Sequence, residues 1–109
     1  ALEDCIAQQE KALEDFVRFV ELDVQFHSAL AYASGNQVAV IVTEVLAGVE
    51  RELLLKKLQS LSAVERATMC RVILKQHLEI LEAIRRGDSR GARAAMSAHT
   101  RSAGRDLRM

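Results

Sequence analysis

Apolar residues recur along this chain at intervals of three and four, the spacing that lines one side of an α-helix. Ile6, Leu13, Phe16, Val17 and Val20 predict a first helix over roughly residues 2–19. Leu22, Phe26 and Leu30 predict a second over roughly 21–33. Ser34-Gly35-Asn36 then interrupts the pattern: Gly35 suits a left-handed position past a helix end, and Asn36 suits the cap of the next helix.

The third helix, about 37–58, carries Val38, Val40, Ile41, Val42, Val45, Leu46 and Val49 around most of its circumference. A helix apolar on nearly all sides is expected at the centre of a bundle. It turns charged at Glu50-Arg-Glu52 and at Lys56-Lys57, where it is expected to leave the core. Ser62-Ala-Val-Glu65 has the form of a capping box and opens a fourth helix running to about Arg86, with Gly87 closing it. Asp88 can cap a fifth reaching roughly Leu107, with Gly91 and Gly104 weakening its two ends. There is no proline and little strand-like alternation. Connections this short favour antiparallel neighbours. The predicted fold is all-α, an antiparallel bundle of about five helices in one domain spanning 1–109.

Composition sharpens this picture in three ways. No run approaches the ~18 apolar residues of a membrane span, and no secretory leader pattern opens the chain. Cys5 and Cys70 have no nearby partner cysteine, so reduced, buried or half-buried thiols in a cytoplasmic protein are expected. Charge is lopsided: residues 1–50 hold nine acids and two bases, a net of −7, and residues 51–109 hold thirteen bases and six acids, a net of +7. Without a basic cluster interleaved with aromatics, this reads as oppositely charged helices packed side by side, not as a nucleic-acid surface.

The chemistry lies in the histidines, all three of which fall on apolar stripes. Asp23 and His27 are four apart and share a helix face. His77 sits in the series Cys70, Ile73, His77, Ile80, Ile84, and His99 in the series Ala92, Met96, His99, Ala103, Leu107. Taken singly, Asp23 and His27 also fit an exposed ion pair, and each of the other two fits an ordinary core histidine. Taken together, His77 lies about ten residues before the turn at Gly87-Asp88 and His99 about eleven after it. The two therefore come level across a helical hairpin. One carboxylate and three imidazoles form a donor set suited to a divalent transition metal rather than to calcium or magnesium.

The blocks Asp23-x-x-Phe26-His27, Ala33-Ser-Gly-Asn36, His77-Leu-x-Ile80-Leu-x-Ala83-Ile84-x-x-Gly87-Asp88, then Ala92 or Ala94, Met96 and His99, occur in order. This series resembles the FCD domain, the C-terminal effector domain of the FadR branch of GntR-type bacterial transcription regulators. The resemblance runs from about residue 1 to residue 107. It implies a bundle of six or seven helices in a dimeric cytoplasmic regulator. It also implies that Asp23, His27, His77 and His99 hold a divalent metal such as zinc, nickel or manganese, beside which a small organic acid binds. Effector binding would then control operator DNA through a winged-helix domain. On this reading the chain lacks that domain and the first helix of the FCD bundle, so DNA binding is not expected of these residues. Arg51 and Arg71 are conceivable contacts for the acid. Two other classes fit the same residues: a mononuclear metal enzyme, for which Glu44 and Glu79 are weak general-base candidates, and a structural dimerisation module.

Overall fold

The computed structural model describes residues 2–88, 90–92, 94–96, 98 and 99. Four helices are complete: α1 (Leu2–Lys11), α2 (Phe16–Ala33), α3 (Gln37–Gln59) and α4 (Ala63–Arg85). Helical residues of a fifth follow between 90 and 99. Among the described residues there is no strand. The expected continuation of the fifth helix to Leu107, with Gly104 and the stripe positions Ala103 and Leu107, lies outside the described residues.

The first two helices divide elsewhere than the periodicity predicted. α1 ends at Lys11, and α2 runs without a break through residues 19–21. The apolar spacing continues across this turn, because Leu13 and Phe16 still pack on the core, so hydrophobic period alone hides the boundary. Local polar chemistry sets it instead. Asp15 takes a non-helical conformation, and its carboxylate accepts a hydrogen bond from the Arg18 amide at 3.2 Å. That contact satisfies one of the four amides a helix start leaves unpaired.

The other boundaries follow the expected signals. Gly35 has φ 70°, the left-handed conformation that a side chain resists. Asn36 Oδ1 accepts from the amides of Val38 and Ala39 at 3.0 and 3.3 Å. Ser62 and Glu65 form the full capping box. Gly87 is left-handed at φ 68°, and Asp88 Oδ1 accepts from the Gly91 amide at 2.8 Å. The end of α3 has a cap that the local sequence does not announce. Arg66 of α4 donates to the carbonyls of Leu58 and Leu61 while its guanidinium lies 4.3 Å from the centre of the Phe16 ring. The Leu58 carbonyl in the last turn of α3 and the Leu61 carbonyl just beyond it are thereby tied to a residue of the next helix.

The core has two parts. Ala12, Phe19, Val20, Leu22, Leu54, Leu58, Cys70 and Ile73 form one cluster. Ile6, Phe26, Leu74, Ile80 and Leu81 form the other, with Ala95 and Met96 of the fifth helix against it. α2 packs on both α1 and α3, so α2 is the central element. α3 is not: Val38, Ile41, Val42, Val45, Leu46 and Val49 are 45–71 % exposed, and its buried residues are Leu54 and Leu58. The expected order is inverted, since the charged C-terminal half enters the core and the apolar half faces outward. Leu54 and Leu58 fit one stripe four apart, with the charges between them on other faces. An all-round apolar surface favours burial, but composition alone does not put a helix at the centre.

Two stripe positions also face outward, Val17 and Ile84, at 53 % and 41 % exposure. The cysteines behave as expected: Cys5 is half-buried, Cys70 is buried, and both are free. Opposite charges meet across helices at Glu21–Arg51 and at Glu3–Arg85. Among the described residues no helix is long and apolar enough to cross a membrane.

Candidate metal centre

Asp23 and His27 stand on consecutive turns of the central helix, facing α4 and the fifth helix. α4 contributes His77 and the fifth helix His99. The structure brings all four together: one ligand atom from each lies within 4.8 Å of every other. His99 Nε2 is 3.3 Å from His27 Nε2, Asp23 Oδ1 is 3.1 Å from His77 Nε2, and the same oxygen is 3.6 Å from His27 Nε2. Neighbouring donors around an ion with bonds of about 2.0–2.2 Å stand roughly 3.0–3.6 Å apart, so these separations match a shared cation. The His77 and His99 rings lie 5.0 Å apart between centres, level across the hairpin as the turn distances predicted.

The rings are held in place by what surrounds them. Phe26 stacks on His77 with centres 4.0 Å apart and planes 14° from parallel. His27 and His99 stack at 5.2 Å. His77 Nδ1 lies 2.9 Å from Gln9 Oε1, and His99 Nδ1 lies 2.5 Å from Gln76 Oε1. Both glutamines were missed by the sequence reading. Gln9 left a usable signal: it is the polar member of the series Leu2, Ile6, Gln9, Leu13, which otherwise marks the buried face of α1. Gln76 left none, since its neighbour His77 occupies the stripe.

Electrostatics separate the four groups. Burial alone would raise the Asp23 carboxyl, but contact with His27 and His77 outweighs it and holds the group well below the usual carboxylate range. His27 is the reverse case: burial would lower it, yet Asp23, aided by Glu50, raises it. Burial lowers His77 despite Asp23. Burial and then the neighbouring His77 and His27 lower His99 to about 4. These shifts favour a charged Asp23, neutral His77 and His99, and a protonated His27.

Among the described residues, two atoms of the cluster, Asp23 Oδ1 and His77 Nε2, are buried with no directed hydrogen bond although they lie 3.1 Å apart. Two lone-pair donors facing each other in the interior are costly unless a proton or a cation lies between them. The donor set, its spacing and these two orphaned atoms all fit a divalent metal.

Other expected participants lie elsewhere. Glu44 and Glu79 are exposed. Arg51 pairs with Glu21 across α2 and α3, and Arg71 is exposed, beside a surface cavity between α4 and the α1–α2 turn.

Fold and site together define an all-helical domain that gathers a carboxylate and three imidazoles from three helices into its interior. The FCD domain model matches residues 1–102, and the chain belongs to the FCD domain family. FCD domains are the effector-sensing parts of GntR-type transcription regulators. A search of curated proteins and of solved structures returned no match.

Proposed function

We propose that this domain senses a small carboxylic acid through a divalent transition metal held by Asp23, His27, His77 and His99. The observation that carries the reading is the convergence of these four side chains, from three helices, on one buried point. When bound, such an ion would offer Lewis-acidic positions to carboxylate oxygens. Zinc, nickel and manganese all suit the donor set. Asp23 supplies the one negative charge, and His77 and His99 offer lone pairs without first losing a proton.

The acid's occupancy would be communicated by helix packing. The ligands come from α2, α4 and the fifth helix, so a change at the ion alters how these three sit together. A differential of ~1–3 kcal/mol between two packings is enough for several-fold control of a linked equilibrium. The linked event is operator binding by a winged-helix domain of the same polypeptide, in a homodimeric regulator of the bacterial cytoplasm. Sedimentation equilibrium tests the dimer.

Elemental analysis of purified protein tests the metal. The wild type should carry close to one equivalent of a transition metal, and the double variant His77→Ala, His99→Ala much less. Equal and low content in both would end the proposal.

A further inference from the structure

Each imidazole that offers a lone pair must carry its proton on the other ring nitrogen, and neutral imidazole has only one proton to place. In this site two glutamines from outside the cluster of four face those other nitrogens. Gln9 is fully buried on α1, a helix that contributes no ligand, and its Oε1 stands 2.9 Å from His77 Nδ1. Gln76 on α4 places its Oε1 2.5 Å from Nδ1 of His99 on the next helix. An amide oxygen only accepts, so in both pairs Nδ1–H donates and Nε2 is left with its lone pair. Both Nε2 atoms face the cluster, toward Asp23 and His27.

The buried amide of Gln9 has a further property. Among the described residues its Nε2 has no hydrogen-bond partner. A side chain placed only to fill the core would be better as leucine, which has similar bulk and no orphaned donor. The amide carries that cost, and its oxygen accepts from His77.

We propose that Gln9 and Gln76 are positioning residues that fix the Nδ1–H tautomers of His77 and His99, presenting both Nε2 lone pairs to a divalent cation. The pairs hold α1 to α4 and α4 to the fifth helix, so the ligand geometry depends on helices packing correctly. The role of the tautomers rests on the metal reading above, but the His99 tautomer itself does not.

The test uses the 109-residue chain, labelled with ¹⁵N-histidine and freed of metal, at pH 7.5. Long-range proton–nitrogen correlation spectra report the tautomer of each ring, assigned with single-histidine variants. Zn²⁺ affinity is measured in parallel by competition with a chromophoric chelator. The wild type should show Nδ1–H at His99 without metal; at His77, where the Asp23 carboxylate competes for the proton from the other side, it should show Nδ1–H once one equivalent of Zn²⁺ takes that side. Gln9→Leu should leave metal-free His77 wholly as Nε2–H, donating to Asp23, with His99 unchanged, and weaken Zn²⁺ about 10–100-fold. Gln9→Glu, which keeps an acceptor at Nδ1, should keep both the tautomer and the affinity. Gln76→Leu and Gln76→Glu should do the same for His99.

An Nε2–H tautomer at metal-free His99, or at His77 of the Zn²⁺-loaded wild type, overturns the proposal. So does a Gln9→Leu protein that binds Zn²⁺ within about twofold of wild type. If Gln9→Leu does not fold, Gln9→Glu and the Gln76 pair decide by the same criteria. If the wild type binds no Zn²⁺, the metal reading fails by itself, and the metal-free His99 tautomer still judges Gln76.

Discussion

Phe26→Leu probes how the protein holds His77 without altering any of the four clustered side chains. Phe26 is fully buried and lies face to face with the imidazole, 4.0 Å between centres. Leucine keeps the site apolar, so the transfer contribution changes little. Two losses remain. The stacked pair is worth about 0.5–1.5 kcal/mol beyond its buried area. The smaller side chain leaves roughly 20–30 Å³ unfilled, which at ~24 cal/mol per Å³ adds about 0.5–0.7 kcal/mol. Together the metal-free protein should lose about 1–2 kcal/mol, from the two contributions just given. At this chain length that lowers Tm by about 4–12 °C. Scanning calorimetry on chelator-treated wild type and variant at pH 7.5 reads it. A Tm within about 2 °C of wild type would show that the stack contributes nothing and that Phe26 does not hold the ring. A loss well beyond 3 kcal/mol would show that leucine cannot occupy the space, and that the cavity estimate is wrong.

The remaining predictions concern acid stability and the α1–α2 boundary. His99 has its folded pKa lowered to about 4, so as pH falls the unfolded chain takes up its proton first. Stability is therefore lost between about pH 6.5, the ordinary histidine value, and pH 4, with no His99 contribution to the slope above that window. His77 is lowered and acts in the same direction, whereas His27 is raised, so its contribution is present at low pH and lost as pH rises through its folded value. Urea midpoints of metal-free wild type and His99→Gln from pH 7 to 4.5 isolate the His99 share, and parallel curves would refute the assignment. At the boundary, Asp15→Ala should cost about 1 kcal/mol through loss of the α2 cap, and Asp15→Asn should restore most of it. Equal urea midpoints for the two variants would mean that Asp15 does not set the helix start.

Much of the site was legible in sequence because two periodicities coincide there. Asp23 and His27 share a face at i and i+4 whatever the helix packs against. His77 and His99 meet because both stand the same distance from one turn, and that turn is marked by Gly87 and Asp88. Neither inference needs side-chain detail. The caps at Asn36, Ser62 and Asp88 were equally readable, since a cap is made by residues within four of each other. The α1–α2 break was missed for the complementary reason: Asp15 carries a cap signal, but the apolar spacing runs on through Leu13 and Phe16 and masked it.

The sequence by itself determined the helices, most of their ends and the four residues that could share an ion, all of which depend on contacts near in the chain or on register about a single turn. Only the tertiary structure decided which helix lies at the centre. The all-round apolar face of α3 promised that place, yet α2 occupies it, because centrality is a property of neighbours and not of one helix's composition. Tertiary structure alone also joined Gln9 to His77, 68 residues apart. A helix that contributes no member of the Asp–His cluster thus reaches a ring that belongs to it.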